Sequence, residues 1–246
     1  MAIDIRESAL IIVDVQNDFC PAYTGKDGKT QPTGALAVAR GCDVVEPLNL
    51  AAEKFYFGQG KIVVSQDWHP AHHSSFASSH PGKKVNESIL LPVPEPFRGE
   101  HERDAKNEYV PAAIQQILWP DHCVQGSQGA MLHPDLDLDH VDLIIRKGCR
   151  KDLDSYSVFF ENDRYTPTGL DGFLKGLGIT QVFIGGLATD YCVLYSVMDA
   201  IRLGYRTVIL SDAVSGVGVP EGSVEQAFSL MKGAGVSFIT TKEIPG

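Results

Sequence analysis

The sequence predicts a three-layer α/β fold, in which helices flank both faces of a central, mostly parallel sheet. Two observations support this prediction: the strand-like segments are continuous apolar runs, and they alternate along the chain with segments of helical spacing. A strand buried on both faces carries apolar residues throughout, so parallel sheets produce such runs. In sheets of this kind, ligand sites form beyond the carboxyl ends of the strands.

Each predicted element follows from its residue pattern. The predicted strands are Ala9–Val15, Lys61–Ser65, Val141–Arg146, Gln181–Leu187, Arg206–Leu210 and Val236–Thr240. The predicted helices, where apolar residues recur at helical spacing, are Val44–Phe57, Leu170–Leu177, Asp190–Leu203 and Glu221–Lys232. We assign residues 1–246 to a single domain with a long loop region of about residues 67–140. Six of the eight histidines lie between His69 and His122 within this region, which favours a functional role.

Bulk composition disfavours several classes of partner. The net charge of −10 disfavours nucleic acid and anionic membranes, because an acidic surface is repelled by phosphates. The sequence contains no membrane-spanning apolar run and no signal-peptide pattern at its start. Five scattered cysteines fit a reducing compartment. We therefore expect a cytoplasmic protein that acts on a small molecule, without a nucleic-acid or membrane partner.

Three reactive side chains lie at the carboxyl ends of three different predicted strands. Asp14, Lys147 and Cys192 each stand at or just beyond a strand's carboxyl end, where parallel strands share one rim. Cys192 is expected in the first turn of a helix capped by Thr189 or Asp190, where the helix N-terminus lowers a thiol pKa. Each residue alone has an ordinary alternative: a loop-capping carboxylate, a solvated lysine or a buried structural cysteine. Together they favour a catalytic site.

A metal site is predicted at the same rim. Asp67 and His69 form a D-x-H pair just past the second strand, and His122 is the candidate third ligand. One carboxylate and two imidazoles suit iron, zinc or manganese and leave coordination positions open. The competing histidine ligands are His72, His73, His80 and His101.

Five motifs occur in order along the chain: VDVQNDF (Val13–Phe19), QDWHP (Gln66–Pro70), WPDHCVQG (Trp119–Gly126), RKG (Arg146–Gly148) and GGLATDYCV (Gly185–Val193). Any one of them is weak, whereas the set is specific and extends from the first strand to about residue 215. Together they resemble nicotinamidases, which are members of the isochorismatase-like cysteine hydrolase superfamily.

The resemblance implies a catalytic triad of Asp14, Lys147 and Cys192 and a thioester on the cysteine. It also implies an oxyanion hole formed by the backbone N–H groups of Ala188 and Cys192, with a cis peptide bond between Leu187 and Ala188. The implied reaction is hydrolysis of nicotinamide to nicotinate and ammonia, in NAD salvage.

The resemblance further implies one divalent metal ion, zinc with iron or manganese as alternatives, held by Asp67, His69 and His122. His73 matches a position that binds or borders the metal in some relatives. The predicted substrate-binding residues are Phe19, Trp68, Tyr156 and Leu187.

One segment departs from shorter relatives. Pro92–Ala113 reads as an insertion, either a lid or a subunit contact, so a homo-oligomer is left open; it brings in His101 as a rival ligand. Two other functions also stay open. One is an amidase of the same superfamily acting on carbamoyl or ureido groups without a metal, and the other is a catalytically silent scaffold.

Overall fold

A six-stranded parallel sheet runs through the centre of the molecule, so the predicted fold class is confirmed. The structure is a computed structural model that describes residues 4–93 and 113–245. Its strands are β1 (Ser8–Val13), β2 (Tyr23–Thr24), β3 (Thr30–Gln31), β4 (Lys61–Asp67), β5 (Ser88–Pro92), β6 (Ala113–Ile117), β7 (Leu143–Lys147), β8 (Gln181–Leu187), β9 (Arg206–Ser215) and β10 (Ser237–Ile239). The central sheet has the order β10-β9-β8-β1-β4-β7.

Helices cover both faces of this sheet. They are α1 (Val45–Phe57), α2 (Leu170–Gly176), α3 (Leu194–Arg202) and α4 (Ser223–Gly233). In the described parts of the chain, none of them is long and apolar enough to cross a membrane.

Strand β1 shows why its sequence is a continuous apolar run. Leu10 and Ile12 enter the apolar cluster that includes α1, whereas Ile11 and Val13 enter the cluster on the other face, which includes residues of α2, α3 and α4. All four side chains are fully buried. Each contributes about 1.5–3 kcal/mol by leaving water, so the pattern fixes a strand with helices on both sides.

The structure differs from the sequence prediction at several element ends and in one region. β9 extends to Ser215, beyond the predicted Leu210. The loop region of residues 67–140 also contains a hairpin, β5–β6, in which Leu90 pairs with Gln115. Its strands are short and lie outside the main sheet, which explains the weak periodicity. Of the predicted insertion, residues 94–112 with His101 lie outside the described residues.

Strand order brings the predicted site residues to one place. β1 pairs with β4 on one side and with β8 on the other. The chain continues from β1 to β4 and from β8 to β9, so the connections from these two neighbouring strands run in opposite directions. Such a switch point opens a crevice at the carboxyl ends of the strands. Asp14 follows β1 at this position, and Asp67 and Lys147 are register partners at the ends of β4 and β7.

A glycine lets β8 approach β1 closely beside this crevice. Gly186 has a φ of 114°, and a Cβ there would lie 2.1 Å from the backbone oxygen of Val13. We expect Gly186→Ala to lower the free energy of unfolding by roughly 3 kcal/mol or more, because both strain and overlap oppose it. Urea denaturation measures this.

Gly172→Ala is the matched control. This glycine lies within α2, and a Cβ there meets no atom within 4 Å. Alanine favours a helix interior over glycine by up to about 1 kcal/mol, so the control variant should be as stable as the parent or slightly more stable. Equal stability of the two variants would contradict the close-approach argument.

Candidate active site

Lys147 is the centre of a buried polar cluster. Its Nζ lies 2.8 Å from Oδ2 of Asp14, 2.5 Å from Oδ1 of Asp67 and 3.3 Å from Sγ of Cys192. It also donates to the backbone oxygen of Ser155 at 2.8 Å. The Lys147 side chain is fully buried, as strand alternation requires when its neighbour Arg146 faces outward. The three predicted triad residues are therefore in contact.

Charges within this cluster stabilise one another. Burial opposes the charge on Lys147, but Asp14 and Asp67 outweigh it and hold the lysine pKa well above its ordinary value. The pKa of Asp14 is raised, because burial outweighs the attraction of Lys147 and Asp67 adds repulsion. Ser65 donates its hydroxyl to Oδ1 of Asp14 at 2.6 Å. A carboxylate with a raised pKa is suited to exchange protons near neutral pH.

Cys192 lies in an irregular turn before α3. Residues Thr189–Val193 form a single π-helical turn, and its N-cap is Ala188. The predicted side-chain cap by Thr189 or Asp190 is wrong. The carboxylate of Asp190 instead accepts hydrogen bonds from the backbone of residues 217 and 218 and from Ser223, because it points back toward the loop before α4.

The thiol is less acidic than its helix position predicts. Burial raises the pKa of Cys192 well above its ordinary value, although Lys147 acts in the opposite direction. Proximity to a helix terminus does not overcome the removal of the sulfur from water. Ionisation of this thiol would therefore be helped by a nearby base. Asp14 supplies an oxygen within 4.8 Å of the sulfur.

The π turn also leaves a backbone donor beside the sulfur. Tyr191 and Val193 donate their N–H groups to the oxygen of Ala188 at 3.0 and 3.1 Å. In the described chain, the intervening Cys192 N–H makes no such bond. The cis peptide bond expected between Leu187 and Ala188 is present. The turn thus presents backbone N–H groups where an oxyanion could be bound.

A second group of ligands adjoins the cluster through Asp67. Oδ2 of Asp67 lies 3.5 Å from Nε2 of His69 and 3.8 Å from Nε2 of His122. The Nδ1 atoms of the two rings lie 2.9 Å from the oxygen of Gly148 and 2.8 Å from that of Pro120. A ring that donates Nδ1–H to a carbonyl presents the lone pair of Nε2. Two such lone pairs facing one carboxylate oxygen fit a divalent cation.

The pKa shifts of these ligands also favour a positive charge at this place. Burial opposes ionisation of Asp67, but Lys147 and His69 hold its pKa well below the ordinary range. Burial also opposes a charged His69, yet Asp67 prevails and raises its pKa. The site therefore favours a positive charge between these groups, which a proton or a metal ion can supply. Gly148 permits this packing, since a Cβ there would lie 2.4 Å from the His69 ring.

The described histidines that compete with His69 and His122 as metal ligands either lie away from Asp67 or pack beside the ligand set. His72 is exposed, and His80 bonds the oxygen of Ser74. His73 stacks on His69 with ring centroids 4.2 Å apart, and burial lowers its pKa to about 4. One potential ligand atom from each of His69, His73 and Asp154 lies within 4.8 Å of the other two, so these residues form a second candidate group of metal ligands.

A mostly aromatic cavity opens onto both groups. Phe19, Trp119, Tyr156 and Tyr191 form its walls, and Cys192 and His122 contribute to its lining. The sulfur and one predicted metal ligand therefore face the same space, which has the flat apolar walls that suit an aromatic ring.

Comparison with known proteins agrees with this arrangement. Residues 8–243 match the family model described as "Isochorismatase domain".

The chain belongs to the isochorismatase family.

Its relatives within the isochorismatase family include nicotinamidases. The nicotinamidase of Acinetobacter baylyi is 42% identical over 96% of this chain and 94% of its own length. The nicotinamidase of Escherichia coli is 37% identical over 94% of each chain. The resemblance to nicotinamidases that the five motifs indicate is therefore confirmed.

Solved structures of the isochorismatase family superpose on the whole fold. A nicotinamidase/pyrazinamidase from Acinetobacter baumannii matches with a TM-score of 0.79 and 38% identity, covering 98% of this chain and 99% of the other. A pyrazinamidase from Pyrococcus horikoshii in complex with zinc matches with a TM-score of 0.67 and 31% identity, covering 95% and 99%.

Two predicted substrate-binding residues do not line the cavity. The Trp68 side chain points to the side opposite that of the preceding residue, Asp67. There its ring stacks against the Arg146 guanidinium, whose Cζ lies 3.8 Å from the Trp68 ring centroid. Leu187 is fully buried in the cluster that contains α1. Phe19 and Tyr156 do line the cavity, and Trp119 takes the place predicted for Trp68.

Sequence reasoning missed a hydrogen-bond network behind this cavity. Gln116 on β6 donates to the hydroxyl of Tyr156 at 3.1 Å and to Oδ2 of Asp154 at 3.0 Å. Trp119 also donates to the hydroxyl of Tyr156 at 3.1 Å. Trp119 opens a motif already quoted and could have been chosen from it. Gln116 carried no signal, since a polar residue in a short irregular hairpin is usually solvated.

Proposed function

We propose that this chain is a nicotinamidase, which hydrolyses nicotinamide to nicotinate and ammonia through a thioester on Cys192. The observation that supports it best is the position of Lys147. Its one ammonium group joins the base Asp14, the nucleophile Cys192 and the metal-ligand candidate Asp67. Nucleophile and metal ligands thus belong to one buried cluster beside one aromatic cavity.

Formation of the thioester begins with a proton transfer. Asp14 takes the thiol proton of Cys192, and the sulfur attacks the carboxamide carbon. The ammonium of Lys147, 3.3 Å from the sulfur, stabilises the thiolate as it forms. The oxyanion accepts hydrogen bonds from the N–H groups of Ala188 and Cys192. When the tetrahedral intermediate collapses, the carbon–nitrogen bond breaks and Asp14 returns its proton to the leaving ammonia.

Hydrolysis of the thioester reverses these roles. Asp14 takes a proton from water, and the resulting hydroxide attacks the thioester carbon. The carbon–sulfur bond then breaks, and the Cys192 thiolate recovers its proton from Asp14. The carboxylic acid formed loses its proton to solvent and leaves as nicotinate. Oδ2 of Asp14 lies 2.8 Å from the Lys147 ammonium, which keeps the carboxylate in place while it takes up and returns the proton.

The metal in this proposal is zinc, held by Asp67, His69 and His122. When bound, it supplies a Lewis-acid ligand position for a ring nitrogen of the substrate. The aromatic walls contributed by Phe19 and Trp119 orient the flat ring, so that the carboxamide lies near Cys192. The cytoplasmic location and the single-domain assignment stay predictions.

Ammonia release from nicotinamide tests the proposed function. The metal-loaded protein should release ammonia, and treatment with a chelator should remove most of the rate, which added zinc restores. An N-carbamoyl or ureido substrate is the matched comparison. Faster ammonia release from that substrate, unaffected by the chelator, would favour the metal-free amidase instead.

Asp14→Asn should stop both half-reactions while the fold stays intact. An amide cannot accept the thiol proton, so neither thioester formation nor its hydrolysis can proceed, and turnover should fall by roughly 10³-fold or more. Single-turnover mass spectrometry of the protein measures the thioester. Accumulation of thioester at the parent rate would show that Asp14 serves hydrolysis only. Asp43→Asn, at an exposed surface ion pair with Arg40, is the control and should retain activity.

A further inference from the structure

Two cysteines and a histidine meet outside the cluster around Lys147. The sulfurs of Cys20 and Cys42 and one ring nitrogen of His133 all lie within 4.8 Å of one another. Cys20 and His133 are buried, and Cys42 is partly buried. The proposed hydrolysis uses none of the three. Thiolates and imidazole together are the ligands of zinc and of other thiophilic ions.

His133 is incompletely bonded in its buried position. Its Nε2 has no hydrogen-bond partner among the described residues, and its Nδ1 receives only a long bond, 3.2 Å, from the N–H of Asp135. Burial lowers the pKa of His133, so the ring is neutral and able to act as a ligand. Tyr23 stacks on it with centroids 4.0 Å apart, which holds its orientation. Ligation at Nε2 moves the ring proton to Nδ1 and costs that one long bond.

A cation can reach this group from solvent. Cys42 and His133 line an open surface cavity, and the carboxylates of Glu46 and Asp135 line it too. The ammonium of Lys26 also lines this cavity, but the two carboxylates outnumber it, so the net charge of the lining attracts a positive ion toward the sulfurs. Burial raises the pKa of both thiols, that of Cys42 and more strongly that of Cys20. Both thiols therefore keep their protons until a metal ion binds and displaces them.

We propose that Cys20, Cys42 and His133 form a second metal site, selective for thiophilic divalent ions such as zinc. Loading it releases the two thiol protons and forms two metal–sulfur bonds and one metal–nitrogen bond, with no change of oxidation state. A fourth position stays open toward the cavity. Hard ions such as magnesium prefer oxygen ligands and should not compete. The site is distinct from the ligand set of Asp67, His69 and His122, which contains no sulfur.

Cobalt titration of the reduced, metal-free protein distinguishes the two sites. Cobalt bound to thiolates gives a near-ultraviolet charge-transfer band, whereas cobalt bound by one carboxylate and two imidazoles does not. The parent protein should bind two cobalt ions per chain and show the band. Cys42→Ser should bind one ion and lose the band while it keeps amide hydrolysis, which reports that the active site is folded. Added magnesium should leave the band unchanged.

Two cysteine variants are the matched controls. Cys149→Ser, at an exposed thiol, and Cys192→Ser, at the candidate nucleophile, should both keep the band and the second ion. Loss of the band in Cys192→Ser together with its persistence in Cys42→Ser would assign the sulfur ligand to the active site and overturn the proposal. A parent protein that binds a single ion without the band would overturn it as well, whether or not any variant folds.

Discussion

Cys192→Ser is expected to abolish ammonia release from nicotinamide, with a fall of roughly 10⁴-fold or more in kcat. A serine hydroxyl is far less acidic than a thiol, and the buried setting that raises the pKa of Cys192 would oppose its ionisation further. Asp14 cannot remove that proton at a useful rate. Discontinuous ammonia assays at high enzyme concentration measure the residual rate.

The other thiols provide the control for this result. Cys149→Ser changes an exposed cysteine whose sulfur lies 3.8 Å from the backbone oxygen of Lys147, and it should keep nearly all activity. Circular dichroism and thermal melting should show the same fold for both variants. Retention of most of the activity by Cys192→Ser would remove this residue as the nucleophile.

The kcat/KM of benzamide is expected to be lower than those of nicotinamide and pyrazinamide by roughly a hundredfold or more. The three amides share one shape, but benzamide lacks a ring nitrogen meta to the carboxamide-bearing carbon. Three protein ligands leave open positions on a metal, and a pyridine nitrogen is a good ligand for one of them. Loss of that anchor costs a few kcal/mol, and about 1.4 kcal/mol is tenfold in rate. Values of kcat/KM for the three amides measure the effect.

His122→Ala tests whether the metal ligands cause this selectivity. The variant should lose most of its nicotinamide turnover and little of its weak benzamide turnover, so that the gap between the two amides narrows. His80→Ala, at a ring that bonds the oxygen of Ser74 away from the cavity, should keep the gap. Equal hydrolysis of benzamide and nicotinamide by the zinc-loaded parent would contradict the anchoring role and favour the alternative amidase.

The central sheet could be predicted because it depends on burial, which leaves a direct mark on the sequence. Gln181–Leu187 was predicted with both ends correct, since every residue of β8 is buried. The hairpin of β5 and β6 could not be predicted in this way. β5 alternates between exposed and half-buried positions, whereas β6 buries Ile114 and the polar Gln116. Pro92 and two adjacent glutamines weaken the apolar pattern.

The candidate site was predictable where a residue was out of place in its element. A carboxylate after a buried strand, as at Asp14, is costly unless it is paired, and the structure pairs it with Lys147. The direction in which a side chain points was harder to predict than the place of its residue in the chain. Trp68 is adjacent to Asp67 in the sequence, but its side chain points away from the cavity. The thiol pKa of Cys192 was also misjudged, because depth of burial depends on the whole fold rather than on the local helix.

The central position of β1 determines when the site can assemble during folding. β1 is made first but pairs with β8, which lies more than two thirds of the way along the chain. Closing so long a loop is entropically costly and slow, because the contacts that compensate for it form only afterwards. Asp14 and Cys192 are therefore brought together late, when nearly all of the chain is available. Refolding should therefore restore the native sheet and catalysis in the same kinetic phase.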